Sequence, residues 1–326
     1  MKILFVTGSD SAFFNSLLIF LQSFLERLPG QQLSVCDFGM TDGQQRFLHS
    51  RGLLLPRPPA LAARGVFACK ASMVAYLRGG GHAPENYDAV VWLDADLMLM
   101  QTGFADFATV VSAMVRAGAD IAICTAPEDR TIGQMIAIFP DGAKMAPFAH
   151  VVADAAIDLG SPYFSTGLIF CRSPAVLTRW MELTQAVPDH PLVEQNMFNV
   201  VLHGHRVAHI ALSCEEWQAQ GGSLDAIGLA PSEHSGRPAA RIGGKNIKTL
   251  HTTSSAPGHL LIAVCRMTVR DLDLVGPFKL FLSEELRLHQ LQLLATFVAA
   301  HAEILLRLGI CSRAATPVEG FEFVTL

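Results

Sequence analysis

The chain has 326 residues, of which 51% are hydrophobic and 16% charged, and its 24 Lys and Arg against 29 Asp and Glu give a net charge of −5. This apolar content excludes a disordered chain and predicts one large or two ordinary folded domains. Scattered glycines and prolines without a recurring period exclude fibrous and repeat proteins. The absence of a basic cluster argues against nucleic acid as the main partner.

The cysteines and the N-terminus bear on location. Seven cysteines are scattered without a CxxC pair, and most stand in apolar runs, so we expect free thiols in a reducing compartment. The N-terminal run resembles a strand rather than a signal peptide, and no apolar stretch is long enough to span a bilayer. We therefore expect a cytoplasmic protein, with peripheral contact at a membrane as an open alternative.

The first 40 residues alternate between strand and helix patterns. Residues 2–8 form a continuous apolar run, residues 15–28 have a helical pattern that ends at Pro29 and Gly30, and residues 33–39 form a second apolar run. This βαβ order predicts an α/β fold with a mixed, mainly parallel sheet flanked by helices.

The same alternation continues along the chain. Helices are predicted from about Thr41 and over 70–78, 105–117 and 175–185, and apolar strands over 89–93, 119–126 and 163–173. Residues 215–244 are polar and rich in Gly, Pro and Ser, and we expect loops there, including a lid over the site.

A last helix is predicted from Glu284 to about Leu308. Ser283 is a suitable N-cap, and the two acids that follow it suit the positive end of a helix. Apolar positions cover most of the helix circumference. Such a helix packs on the main domain or on a partner subunit, or it lies on a membrane surface.

The strongest chemical signal is Asp94 and Asp96, which follow the apolar run 89–93. Residues two apart on an extended chain face the same way, so both carboxylates can point into one site. Two carboxylates hold a hard divalent cation and leave coordination positions for substrate phosphates. Such a metal neutralises the charge that grows on a leaving diphosphate. The structural alternative is an acidic strand end that only caps a loop.

Two polar segments follow further along the chain. Ser165, Thr166 and Gly167 are predicted to form a turn that interrupts a strand, where small side chains let donors approach a sugar. Residues 194–196, Glu-Gln-Asn, precede an apolar helix. A plain tight turn and a plain helix cap are the structural alternatives.

A late histidine is the fourth signal. His251 ends a short predicted strand and follows Lys245 and Lys248. It is a candidate metal ligand, with a surface histidine as the alternative. The three histidines within 203–209 lack a nearby acid or cysteine and are not predicted to bind a metal.

Taken in order, these four segments resemble the retaining glycosyltransferases of family eight, the group of glycogenin and bacterial lipopolysaccharide galactosyltransferases. The resemblance covers roughly residues 1–255 and implies a GT-A nucleotide-diphospho-sugar transferase fold there. The nucleotide-sugar half would span about 1–125 and the acceptor half about 126–255. Residues 256–326 would then form a C-terminal helical extension.

The resemblance also implies residue roles. Asp94, Asp96 and His251 would hold Mn²⁺ or Mg²⁺, and Gln195 with Glu194 would lie beside the anomeric carbon during transfer of a hexose with retention of configuration. The donor, by this likeness a UDP-sugar, would be bound by Thr7, Gly8, Ser9, Asp10, Lys70, Asp94, Ala95, Asp96, Ser165, Thr166, Gly167 and Lys248. The acceptor would be a glycan or a lipid-linked molecule, and the C-terminal helix would support a homo-oligomer or membrane contact.

The chain departs from the family pattern at several positions. Ser165 replaces Asn, Glu194 and Asn196 replace Asp, and Ser254 and Pro257 stand where the family has Gly and Lys. Because the family's Lys is absent, Lys248 or Lys245 would neutralise the negative charge of the diphosphate.

Other classes of protein remain as alternatives. One is a GT-A-like protein that binds a nucleotide sugar without turnover. Another is a haloacid-dehalogenase-type phosphatase that uses Asp94 and Asp96, although the chain has no GD dipeptide for its later metal segment. The motifs GxxxxGK[ST], GxGxxG and GxSxG are absent, which excludes the corresponding nucleotide-binding and hydrolase classes.

Overall fold

The computed structural model describes residues 1–62, 64–139, 142–231, 238–253, 260–269, 271–315 and 320–323. In chain order the strands are β1 (Ile3–Ser9), β2 (Leu33–Asp37), β3 (Leu54–Leu55), β4 (Ala89–Leu93), β5 (Leu97–Leu99), β6 (Ile121–Thr125), β7 (Phe164–Cys171), β8 (His209–Leu212), β9 (Gly228–Pro231), β10 (Pro238–Ile242), β11 (Lys245–Asn246), β12 (Thr249–His251), β13 (Leu260–Val269), β14 (Leu272–Phe281), β15 (Ser312–Arg313) and β16 (Gly320–Phe323). The α-helices are α1 (Phe14–Arg27), α2 (Asp42–Ser50), α3 (Val66–Ala71), α4 (Met73–Gly79), α5 (Phe104–Ala117), α6 (Ile132–Ile136), α7 (Ala146–Asp154), α8 (Pro174–Ala186), α9 (Val193–Gly204), α10 (Cys214–Trp217) and α11 (Glu284–Arg307).

The central sheet has seven strands in the order β3-β2-β1-β4-β7-β6-β8. Strands β1 to β4 run parallel to one another, β7 is antiparallel to both β4 and β6, and β8 is parallel to β6. The predicted α/β fold with a mixed, mainly parallel sheet is therefore confirmed. The chain moves from β1 outward to β3 and then returns to β4, so the strand order reverses between β1 and β4.

Helices cover both faces of the sheet, which explains why β1 is buried along its whole length. On one face the ring of Phe5 packs against Phe24 of α1 and Phe107 of α5, with centroids 5.3 and 5.0 Å apart. On the other face Leu4 and Val6 belong to a second buried cluster. The predicted βαβ start of the chain is confirmed, and Thr41 caps α2 by accepting a hydrogen bond from the amide of Gln44.

The C-terminal segment contains more than the predicted helix. Helix α11 begins at Glu284 as expected, and Ser283 occupies the N-cap position without a side-chain capping hydrogen bond. Strands β13 and β14 precede it as an antiparallel hairpin, flanked by β16 and β15. The prediction of a helical extension for residues 256–326 is therefore incomplete, because residues 260–269 form a strand that pairs with β14.

Helix α11 packs on the main domain. Its residues Leu294 and Val298 are fully buried in the cluster that contains Phe5, and the ring of Phe297 lies 6.0 Å from that of Phe47 in α2. The helix was predicted to pack on the main domain or a partner subunit, or to lie on a membrane surface. The structure shows it packed on the main domain. Among the residues that the structure describes, no helix combines the length and apolarity that crossing a membrane requires.

The expectation of loops over residues 215–244 is wrong in part. Helix α10 lies at the start of this region, and β9 and β10 within it join β11, which follows directly, in a three-stranded antiparallel sheet. Short strands separated by Gly and Pro resemble loops in composition, and pairing with neighbours orders them.

We expect Phe297→Ala to lower the free energy of unfolding by about 3 kcal/mol, because it leaves a cavity between α11 and α2. The matched control is Leu288→Ala on the same helix, where the side chain is 51% exposed and the expected change is within about 0.5 kcal/mol. Urea unfolding measures both. Equal effects would contradict a shared core for α11 and the sheet.

Candidate functional site

A cavity of about 770 Å³ opens where the carboxyl ends of β1 and β4 meet. This is the point at which the strand order of the sheet reverses, the place where open α/β sheets bind their ligands. Of the site residues predicted from the sequence, the cavity is lined by Gly8, Ser9, Asp10, Lys70, Asp94, Ala95, Asp96, Ser165, Glu194, Gln195 and His251. Thr7, Thr166, Gly167 and Lys248 are not among the lining residues.

Asp94, Asp96 and His251 converge on one point of the cavity. Each offers a ligand atom, and these atoms all lie within 4.8 Å of one another. His251 Nε2 is 3.0 Å from Asp96 Oδ1 and 3.7 Å from Asp94 Oδ2. Pairing of β12 with β5 places His251 opposite Leu97, directly after the acidic pair. Two carboxylates and an imidazole form a donor set that suits Mg²⁺ or Mn²⁺.

The predicted turn at residues 165–167 is wrong, because these residues lie inside the continuous strand β7. The register with β6 shifts there, so that Cys124 pairs with Ser165 while Ile123 pairs with Ile169. A Cβ on Gly167 would lie 2.1 Å from Gln218 Nε2 and 2.6 Å from His251 Cε1. Glycine at this position therefore makes the space in which Gln218 and His251 pack.

Gln218, which the sequence analysis missed, holds the imidazole in place. It is fully buried, and its Nε2 donates to Ser165 Oγ at 2.9 Å and lies 2.8 Å from His251 Nδ1. Its Oε1 has no hydrogen-bond partner among the described residues. The sequence around Gln218 has no periodic pattern that marks it as a site residue. Its role becomes visible only from its contacts with Ser165 and His251, which are distant in sequence.

Lys70 neutralises the first carboxylate. Its ammonium lies 2.8 and 3.1 Å from the two oxygens of Asp94 and 3.7 Å from Glu194 Oε1. Trp92 Nε1 also donates to Asp94 Oδ1 at 2.6 Å. Burial lowers the pKa of Lys70, but the charges of Asp94 and Glu194 outweigh it, so the pKa is raised and the side chain stays protonated.

Lys279 of β14 neutralises the second carboxylate and was also missed from the sequence. Its ammonium lies 2.7 Å from Asp96 Oδ2 and 4.3 Å from the centroid of the Phe13 ring. Burial alone would raise the pKa of Asp96, but the charges of Lys279 and His251 hold that pKa well below its usual range. The available sequence signal was a single lysine within the otherwise apolar run 277–282.

Helix α9 brings Glu194 and Gln195 to the cavity. Gln195 Oε1 accepts hydrogen bonds from the amide and hydroxyl of Thr166 at 3.1 and 3.3 Å, and its Nε2 donates to the Tyr163 hydroxyl at 3.2 Å. Asn199, one turn later, bonds both the amide and the carbonyl of Phe164. The helix is thereby fixed to β7, and the amide of Gln195 has a defined orientation.

Glu194 is buried beside Lys70. Burial raises the pKa of its carboxyl group, although the nearby ammonium acts in the opposite direction. Its Oε2 has no hydrogen-bond partner within the described part of the chain. A buried carboxylate with one unpaired oxygen at the cavity wall is a feature of functional sites.

The end of β1 forms another part of the wall. A Cβ on Gly8 would lie 2.3 Å from Phe38 Cζ, so glycine lets that ring stack on Trp92 next to the acidic pair. Ser9 and Asp10 face the cavity, whereas Thr7 is fully buried.

The cations predicted after β10 lie elsewhere. Lys248 pairs with Asp106 of α5 at 2.7 Å, away from the cavity lining. Lys245 is exposed on β11. Ser254 and Pro257, at the positions that depart from the family pattern, lie outside the described residues. These two lysines were predicted to neutralise the diphosphate, whereas the lysine that contacts Asp96 at the cavity is Lys279.

No protein-family model matches the chain, and a search of curated proteins finds no match. Among solved structures it is similar to apo mouse xyloside xylosyltransferase 1, with 13% identity, a TM-score of 0.45, and coverage of 78% of this chain and 98% of that one. It is also similar to the galactosyltransferase LgtC in complex with donor and acceptor sugar analogs, with 12% identity, a TM-score of 0.46, and coverage of 78% and 87%. Similarity to the apo bifunctional glycosyltransferase WbbM has 11% identity and a TM-score of 0.44 over 66% of this chain, which spans 39% of the length of WbbM.

We expect Gly167→Ala to lower the free energy of unfolding by about 1–3 kcal/mol, because the added methyl group forces Gln218 and His251 to move. The control is Gly79→Ala near the end of α4, where an added Cβ meets nothing within 4 Å. Chemical unfolding compares them. If Gly167→Ala left the free energy of unfolding unchanged, the packing of Gln218 and His251 around residue 167 would be loose, which would contradict the close contacts found there.

Proposed function

We propose that the protein is a metal-dependent GT-A glycosyltransferase that moves a hexose from a UDP-sugar to an acceptor with retention of configuration. The observation that carries this proposal is the convergence of Asp94, Asp96 and His251 in a cavity at the reversal point of the sheet. Ser9 and Asp10, at the end of β1, line the same cavity and are proposed to contact the nucleotide.

Asp94, Asp96 and His251 would hold Mn²⁺ or Mg²⁺ in this site. When bound, the ion neutralises the negative charge that develops on the departing diphosphate. Lys70 holds the first carboxylate in position through both of its oxygens. Asp94 is thus fixed before the ion arrives, which limits the reorganisation that this ligand requires.

In the proposed metal-bound state, Gln218 would orient the imidazole and select its tautomer. A metal on His251 Nε2 requires that the ring proton be on Nδ1. Rotation of the Gln218 amide by half a turn would place Oε1 where Nε2 now lies, 2.8 Å from His251 Nδ1, to accept that proton. The Ser165 hydroxyl then donates to the same oxygen, so that both groups keep a hydrogen bond.

Gln195 is proposed to lie beside the anomeric carbon. Its amide is a poor nucleophile, so we favour transfer on the face that the diphosphate leaves, with the departing phosphate guiding the acceptor. Thr166 fixes the amide of Gln195 from the side of β7. Glu194 adds negative charge near the positive charge that develops on the sugar ring in the transition state.

The apolar part of the cavity supports an acceptor with an apolar portion, such as a lipid-linked glycan. Phe67 and Ile138 are 46% and 38% exposed, and both line the cavity together with Met135 and Phe139. Exposed apolar side chains around a polar site are typical of a ligand with both characters. No observation on the described residues favours the phosphatase alternative.

We expect UDP to bind at least about tenfold more tightly with saturating Mn²⁺ than with excess EDTA, because an ion held by Asp94, Asp96 and His251 would neutralise charge on the diphosphate. Asp96→Asn should weaken binding in Mn²⁺, and Asp154→Asn, at an exposed position of α7, is the matched control. Isothermal titration calorimetry measures each variant. Equal UDP affinity with Mn²⁺ and with EDTA would contradict the metal role.

We expect the product to keep the α-configuration of an α-linked UDP-sugar, and we expect Gln195→Ala to lower kcat about a hundredfold while UDP binding is unchanged. NMR of the product linkage tests the configuration, and steady-state kinetics tests the effect of Gln195→Ala.

The control for Gln195→Ala is Gln185→Ala, a residue outside the cavity lining, which should leave kcat unchanged. A β-linked product would refute retention, and a donor that is neither transferred nor hydrolysed would indicate a binding protein without turnover.

A further inference from the structure

We propose that Lys279 exchanges between Asp96 and the donor diphosphate, so that arrival of the diphosphate frees Asp96 for the divalent cation. This inference rests on the proposed function, because the diphosphate is that of the nucleotide donor. It assigns part of the coupling between nucleotide and metal binding to one side chain of the C-terminal hairpin.

Both oxygens of Asp96 are already engaged by cationic or hydrogen-bonding groups. Lys279 lies 2.7 Å from Oδ2, and His251 Nε2 lies 3.0 Å from Oδ1. The Asp96 side chain is only 12% exposed, so water is a poor substitute for either partner. A divalent cation that takes Asp96 as a ligand must therefore compete with an ammonium group for the same carboxylate.

Lys279 is better suited to leave than Lys70. Lys70 contacts both oxygens of Asp94 as well as Glu194, and its side chain is 9% exposed. Lys279 contacts one oxygen of one carboxylate and is 16% exposed. A flexible stem of four carbons lets its ammonium move without movement of the backbone.

The strand that carries Lys279 is held in place. Gln290 of α11 donates to the Lys279 carbonyl at 3.3 Å and accepts from the amide of Phe281 at 2.9 Å. Asn15 of α1 donates to the Pro277 carbonyl at 3.2 Å. Exchange is therefore a change of side-chain rotamer on a fixed backbone.

The present position of the ammonium lies next to the proposed nucleotide wall. It is 4.3 Å from the centroid of Phe13, which follows the end of β1 where Ser9 and Asp10 line the cavity. A diphosphate placed between this wall and the acidic pair is within reach of Lys279. Its charge gives the ammonium a new partner when Asp96 turns to the metal.

Exchange predicts positive coupling in both directions. If UDP removes a competitor of the metal, UDP must raise metal affinity, and the metal must raise UDP affinity by the same factor. Without the ammonium, the metal has no competitor and the diphosphate loses a contact. The part of the coupling that Lys279 carries then disappears, and the direct attraction between the ion and the diphosphate remains.

The test is calorimetric titration of Mn²⁺ with and without UDP, and of UDP in saturating Mn²⁺, for the wild type, Lys279→Met and Lys2→Met. Lys2 is the matched control because its ammonium also lies over an aromatic ring, 4.5 Å from the centroid of Tyr87, outside the cavity lining. We expect Lys279→Met to bind Mn²⁺ alone about tenfold more tightly and UDP about tenfold more weakly, with the coupling reduced. Lys2→Met should match the wild type. Lys279→Arg, which keeps a cation, should retain the coupling and serves if Lys279→Met fails to fold.

The outcomes separate this inference from the function on which it rests. Mn²⁺-dependent UDP binding in the wild type with unchanged Mn²⁺ affinity in Lys279→Met would overturn the exchange alone. Tighter Mn²⁺ binding with unchanged UDP affinity would also overturn it, since Lys279 would then be a counterion only. A wild type that binds no UDP at any Mn²⁺ concentration would overturn both.

Discussion

Two carboxylates at the end of a buried strand impose the main constraint on this structure. Asp94 and Asp96 are removed from bulk water, and such groups destabilise a fold unless cations and hydrogen bonds compensate them. Compensation comes from α3, β12 and β14, through Lys70, His251 and Lys279. Segments from most of the chain must therefore converge on one strand end, and the cavity forms where they meet.

The C-terminal segment accordingly belongs to the site and is more than an appendage. Helix α11 packs in the same core as β1 and α1, and its Gln290 holds the backbone of Lys279. Packing of the helix thus positions a charge at the acidic pair. Loss of that packing is expected to displace Lys279 from Asp96 and to lower the free energy of unfolding.

Sequence patterns predicted the parts of the site that depend on local geometry. The alternation of strand and helix predicted the mainly parallel sheet. Asp94 and Asp96 point into one cavity as expected, but the predicted reason is wrong, because they lie in a turn between β4 and β5 and not on an extended chain. The amide of Leu97 donates to the Asp94 carbonyl across this turn. His251 was predicted beside them by family resemblance, and the pairing of β12 with β5 brings it there. These features follow from periodicity and from motif order, both of which are visible along the chain.

The missed features depend on contacts between distant segments. Lys279 lies 183 positions from Asp96, and nothing local distinguishes it from a lysine at a strand surface. Gln218 is recognisable only because Gly167 leaves space for it beside His251. The register shift in β7 also depends on pairing with β6, so residues 165–167 resembled a turn when taken alone.

The central claim is that the acidic pair and His251 form one divalent-metal site that binds a nucleoside diphosphate. Anomalous X-ray diffraction from crystals grown with Mn²⁺ and UDP tests it most directly. We expect one manganese peak within coordination distance of Asp94, Asp96 and His251, next to the bound diphosphate. A nucleotide bound in the cavity with no manganese peak at these residues, or with the peak on other ligands, would contradict it.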